Sequence, residues 1–205
     1  MRVIAVSASY GAGGSVIAPL VAERLGVAYL DRAVAARDSQ RMEEEVREAA
    51  VSEEELERGL WQRIISALAA TPSELSPVTE TVEHPDRTVR REAEARLHAF
   101  ASSGAGGVVL GWAASAVLPE AYRVRLDGPA ERRLLQGMEI EDLDEDTARR
   151  RLEKTDEVRA LYWRRLYQRD WRDPALFHLF IDSTALDLDT VADLIVRAAT
   201  AASTR

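Results

Sequence analysis

Residues 2–32 read RVIAVSASYGAGGSVIAPLVAERLGVAYLDR, and the order of residue types in this stretch decides the fold. Arg2 to Ser7 is a nearly continuous apolar run with two valines and an isoleucine, the pattern of a strand buried on both faces. Tyr10-Gly11-Ala12-Gly13-Gly14-Ser15 follows as a glycine-rich turn. From Val16 to Leu25, Ile17, Leu20, Val21 and Leu25 recur at helical spacing, and Pro19 falls early enough in that helix to be tolerated. Gly26 closes the helix as a C-cap. Val27 to Leu30 is a second strand, with Asp31 and Arg32 at its carboxyl end.

A glycine turn between a strand and a helix is built to hold an anion. Glycines let backbone amides converge, and the helix start adds positive potential. The complete phosphate-loop pattern is G-x-x-x-x-G-K-[ST]. Setting Gly13 at its second glycine puts Ala8 at the first, Gly14 at the lysine and Ser15 at the residue that meets magnesium. The lysine that reaches the terminal phosphates is missing, but the amide cradle is kept. A dinucleotide fingerprint, G-x-G-x-x-G, is half met: Gly11 and Gly13 fit, Val16 holds the third place, and Asp31 stands where a ribose-binding acid would. From these residues alone, phosphate binding, a dinucleotide-binding oxidoreductase and a turn with no ligand all stay open.

Working outward, Asp38 to Ala70 reads as mostly helical, with the capping pattern Ser52-Glu53-Glu54-Glu55. The Leu60, Trp61, Ile64, Ile65 and Leu68 stripe is core or a homodimer contact. Thr71 to Arg87, with Pro72, Pro77 and Pro85, reads as a loop, and Val89 to Ala101 as a helix. The strand–helix alternation then resumes: strands at Gly107–Gly111 and Tyr122–Leu126, a helix opening near Pro129, an arginine-rich helical region at Asp144–Gln168, a strand at Leu176–Ile181 and a closing helix at Leu188–Ala201. Five strands separated by helices predict an α/β three-layer sandwich around a mostly parallel sheet.

Composition narrows the function. The 205 residues carry a net charge of -8, which argues against general affinity for nucleic acid or anionic membranes. Without cysteine there is no disulfide framework, thiolate zinc site or cysteine nucleophile, and three histidines are few for a histidine metal site. No apolar run approaches the ~18 residues of a membrane span. The N-terminus lacks a signal pattern, so the cytoplasm is the expected compartment.

Three blocks of residues resemble the cytidylate kinase-like family, a branch of the nucleoside monophosphate kinases. The opening through Asp31-Arg32 is similar to its strand, [S]-R-E-Y-G-S-G-G-R, helix and L-G-x-x-x-x-D-R series. Thr155 to Trp163, Asp170 to Pro174 and Phe177 to Ser183 resemble D-x-x-R-x-x-Y, D/E-W-x-D and the strand that follows. Gly107 to Ala113 with Arg123 to Arg132 resembles V-x-x-G-R-x-A and the next strand and helix. The resemblance covers roughly residues 1–38 and 105–200 and implies one phosphate-loop kinase domain. Residues 39–104 would be a helical monophosphate-binding insertion, and about 139–172 an arginine-rich helical lid.

The implied reaction is transfer of the ATP γ-phosphoryl group to a nucleoside monophosphate such as CMP or dCMP, with Mg2+. Tyr10, Gly11, Ala12, Gly13, Gly14 and Ser15 would hold ATP, Ser15 would meet the metal, and Arg132 would face the base or phosphates. Arg159 would close over the transferring group, Arg151 and Arg165 would face the cleft from the same basic stripe, and Asp156, on the same helix face as Arg159, would meet the substrate. Asp31 would lie near the magnesium or substrate and Arg32 on phosphate. Several positions depart from the family: Ala8 and Ser9 replace Arg-Glu, Ser15 stands at a frequent arginine, and Trp112 replaces the arginine of G-R. An indole stacks on a base but does not clamp phosphate. A non-catalytic nucleotide-binding or sensory protein is the alternative. Trp171 and Asp173 are expected to organise the turn into the last strand, and His178 to be a satisfied core histidine.

Overall fold

The first strand is buried along both faces, as its unbroken apolar run requires: Val3, Ile4, Ala5 and Val6 are all buried. In a computed structural model, which describes residues 3–31, 85–111 and 114–203, this strand is the middle of the sheet. The elements in order are β1 (Val3–Ala8), α1 (Gly14–Leu25), β2 (Tyr29–Asp31), α2 (Pro85–Ser102), β3 (Gly107–Leu110), α3 (Ala114–Val117), β4 (Tyr122–Asp127), α4 (Ala130–Glu141), α5 (Glu145–Tyr167), β5 (Leu179–Asp182) and α6 (Leu188–Ser203). The sheet order is β2-β3-β1-β4-β5 and every described pairing is parallel.

Two compact units make up the chain, Met1–Ala33 with Arg91–Arg205, and Val34–Arg90. In the first unit, alternate residues of the strands feed two cores. Ile4, Val6, Val108, Leu110, Val124, Leu126 and Ile181 pack with Ile17 and Val21 of α1 and Val191 and Ile195 of α6. Val3, Ala5 and Val109 pack on the other face with Leu97, Val117 and Leu118. The predicted helical stretch Asp38–Ala70, its Trp61 stripe and most of the predicted 71–87 loop lie outside the described residues. The end of that loop is helical, because Pro85 opens α2, a place proline suits.

The C-terminal strand differs from its sequence reading. Its first predicted residue, Leu176, ends a 3-10 turn, Pro174–Leu176, because the Asp173 carboxylate accepts from the Ala175 amide at 2.9 Å. The strand therefore starts at Leu179. His178 is exposed, not in the core, since it precedes an edge strand; its Nδ1 accepts from the Arg123 amide at 2.9 Å and its ring stacks on Tyr122 at 5.4 Å. The region expected as a lid contains one continuous helix, α5, capped by Asp144, which accepts from the Thr147 amide and hydroxyl. Among the described residues no helix is long and apolar enough to cross a membrane.

Candidate functional site

In an open parallel sheet, ligands gather at the carboxyl ends of the strands, where the strand order switches direction. Here that point is β1, which pairs with β3 on one side and β4 on the other. The glycine turn leaves β1 there. Gly11 and Gly13 are both left-handed, with φ of 71° and 72°, and Gly13 caps α1. The amides of Gly14 and Ser15 are the first of that helix and lack intrahelical acceptors, so they form an anion-facing start. Neighbouring residues press the turn from two sides. A Cβ at Gly11 would lie 1.9 Å from the Arg133 carbonyl oxygen, and one at Gly14 would lie 2.5 Å from Ala8 Cβ. The cavity over the turn is lined by Ala8–Gly11, Gly13–Ser15, Leu110, Gly111, Gly137, Ile140, Glu141 and Arg159.

Behind the turn lies a buried network of charges. Arg125, inaccessible within β4, donates to Ser9 Oγ at 2.7 Å and to Asp127 at 3.0 Å, and its guanidinium stacks on the buried Trp171 ring at 4.0 Å. Ser9 Oγ donates in turn to Asp127 Oδ1 at 2.8 Å. Arg133 joins Asp156 at 2.8 Å and Asp127 at 3.4 Å, and donates to the carbonyls of Gly128 and Tyr10, each at 2.9 Å. Burial pushes the Arg125 guanidinium below its ordinary value, opposed by Asp127. Burial also works to raise the Asp127 carboxyl, but Arg125, Ser9 and the Gly128 amide outweigh it and hold it below the usual range. Two further bonds fix the turn's backbone: Gln136 Nε2 donates to the Gly11 carbonyl at 2.9 Å, and Ser183 Oγ to the Ala12 carbonyl at 2.8 Å.

The predicted site residues divide between this network, the mouth and positions away from both. Tyr10 to Ser15 form the turn, and Ser15 is exposed at the cavity. Asp156 is buried with its carboxylate turned to the turn's back, where Oδ1 accepts from the Tyr10 amide at 3.4 Å. Arg159, three residues on along α5, lines the cavity and donates to the Ala8 carbonyl. Arg151 stands at the mouth, exposed, 2.8 Å from Glu141. Arg132 is apart from the turn and pairs with Asp182 at 2.9 Å on the surface. Asp31 ends β2 in register with Leu110. Arg165 is on α5; its side chain, and Arg32 and Trp112 entirely, lie outside the described residues. Trp171 and Asp173 sit at the turn before β5, one buried and the other capping.

Sequence reasoning missed Arg125, Asp127, Gln136 and Ser183, and it set Arg132 above Arg133. One signal was available: arginine at 125 interrupts an otherwise buried strand, Val124 to Leu126. A buried arginine demands a buried acid, and Asp127, two residues on, is the nearest.

Chemically, the turn fits a polyphosphate: left-handed glycines, orphan amides and an arginine at the rim. Ser15 fits magnesium as a single hydroxyl ligand, since that ion keeps waters and takes phosphate oxygens rather than a full protein cage. Among the described residues no group of three or more His, Asp or Glu is placed to hold a metal.

Comparison with known proteins agrees with this geometry. The model of the cytidylate kinase-like family matches residues 3–185. No curated protein matches the chain. A crystal structure of an uncharacterized protein from Eubacterium ventriosum superposes with a TM-score of 0.65 at 18% identity, covering 98% of this chain and 99% of that one. Shikimate kinase from Acinetobacter baumannii, in complex with shikimate, gives 0.50 at 16% identity over 100% and 96%. Shikimate kinase from Bacteroides thetaiotaomicron gives 0.51 at 11% over 96% and 97%. At such identities these likenesses speak for the fold alone.

Proposed function

The chain belongs to the cytidylate kinase-like family, and from that premise we propose that it transfers the γ-phosphoryl group of ATP to a nucleoside monophosphate of the CMP or dCMP type. The observation that carries this reading is the Tyr10–Ser15 turn at the switch of the sheet, with its orphan helix-start amides and Arg159 on one cavity. Phosphoryl transfer asks a protein chiefly for positioning and charge neutralisation, and these are what such a turn supplies.

In this reading the amides from Gly11 to Ser15 bind the ATP phosphates. Arg159 neutralises charge on the transferring group, and Arg151 swings from Glu141 toward the same phosphates. Ser15 would hold magnesium; the ion, when bound, offsets phosphate charge. Asp31 lies by the magnesium or acceptor, Arg32 meets phosphate, Arg165 faces the cleft, Trp112 stacks on a base and Arg132 faces the base or phosphates. Asp156 works through the turn it holds. A non-catalytic nucleotide-binding role is the second reading. It is favoured by Ser15 and Trp112, neutral residues at positions where the family's arginines would have added charge.

The test is a calorimetric titration with magnesium-ATP, without and then with CMP, followed by assay for ADP and CDP. Micromolar ATP binding tightened by CMP, with both products formed, is expected. Binding without products selects the second reading, and no binding of either nucleotide defeats both.

A further inference from the structure

Glu141 is the only carboxylate among the described residues that line the phosphate-type cavity, and Arg159 is their only cation. It is the last residue of α4, one turn beyond Gly137, which packs so tightly on the turn that a Cβ there would meet the Tyr10 ring at 2.9 Å. The carboxylate is held in place: Oε2 accepts from the Tyr10 hydroxyl at 3.1 Å and from Arg151 at 2.8 Å. Arg151 is more than half exposed, so solvent weakens its compensation. Gly14 and Ser15 add no charge. Glu141 is therefore the one negative charge among the described residues lining the cavity, fixed against the loop that is to receive phosphates.

A fixed carboxylate repels an anion in proportion to the anion's charge. Complexation with a divalent cation removes two charges from a nucleoside triphosphate. Resting on the nucleotide-binding reading above, we propose that Glu141 is a specificity-determining residue, which makes the site select the metal-complexed triphosphate and reject the free one. A loop with a lysine or arginine would accept either form more evenly. In this chain Glu141 sharpens the requirement for the ion without being its ligand.

The experiment measures ATP affinity by calorimetry, in EDTA and in excess Mg2+, for the wild-type chain, Glu141→Gln and Glu141→Asp. Glutamine keeps an acceptor for Tyr10 and Arg151 while removing the charge. It is expected to tighten free ATP by about tenfold and magnesium-ATP by about threefold, because repulsion scales with ligand charge. The preference for the metal complex should fall by about threefold, and more at low salt, where screening is weaker. Glu141→Asp keeps the charge and should keep the wild-type preference. Equal factors for the two ligand forms, weaker free-ATP binding in Glu141→Gln, or the same loss of preference in Glu141→Asp would overturn the proposal while leaving the nucleotide site intact. A wild-type chain that binds neither form would remove the nucleotide-binding reading and this proposal together.

Discussion

The two sides of the glycine turn are built on opposite principles. Its back is dense with charge, the buried Arg125, Arg133 and Asp156 and the partly buried Asp127, every one of them engaged by another member or by the turn's own backbone. Its mouth is nearly bare, with Ser15, Arg159 and the Glu141–Arg151 pair at an open rim. The difference teaches where charge is employed in this molecule. The strongest ion pairs hold the turn's shape, and little side-chain charge is left for a ligand. Phosphate binding then falls to backbone amides, which a rigid turn presents without reorganising.

The sharpest way to break the contrast is Arg133→Met. It removes the nearest cation of Asp156, leaving Arg172 at 3.7 Å, and leaves the carbonyls of Tyr10 and Gly128 without their side-chain donor. Losing one member of a buried pair should cost about 3–5 kcal/mol in urea unfolding; a loss below about 1 kcal/mol would mean that the back does not carry the turn. Next comes Gly13→Ala, which forces a left-handed backbone on alanine at about 1–2 kcal/mol and sets its Cβ 2.7 Å from Leu188 Cδ2. Stability should fall modestly while ATP binding disappears, and unchanged affinity would sink the phosphate-loop reading.

The finest separation of the two sides is by titration. At the mouth, burial first, then the charge and hydrogen bond of Glu141, push the Tyr10 hydroxyl up to about 12, with Arg151 opposing. The folded chain holds this proton more tightly than the unfolded one. Its contribution is therefore full below the ordinary tyrosine value and is lost as pH rises through 12. At the back, Asp127 is held low, so its contribution is full above the ordinary carboxyl value and is lost as pH falls through its folded one. Tyr10→Phe should flatten only the alkaline limb of a stability–pH curve and Asp127→Asn only the acid limb. Both limbs moving together in one variant would show that mouth and back are a single unit.

Much of the fold was legible because its cause is local. The run from Val3 to Ala8, the helical spacing from Ile17 to Leu25 and the turn glycines each declare their conformation within a few residues. The charged residues were less legible, because their meaning depends on partners far along the chain. Arg125 and Ser9 are 116 positions apart, and Asp156 reaches Tyr10 across 146. Read as a helix face, Asp156 and Arg159 look like a pair that meets substrate; folded, the first faces the turn's back and the second its rim. His178 shows the same limit, since its alternation with apolar neighbours does not reveal that it precedes a strand at the sheet's edge.

The contact between Gly14 and Ala8 bears on how this loop can change. A lysine at position 14 would bring a Cβ to 2.5 Å from Ala8 and 3.2 Å from a Leu110 methyl. Taken alone, that substitution distorts the junction of strand and helix before its ammonium reaches any ligand. Paired with Ala8→Gly, the nearer obstacle is gone. Positions 8 and 14 are thus epistatic: the order of substitutions decides which are tolerated, and a loop that starts neutral gains a cation at 14 only after its neighbour in β1 has given up its methyl group.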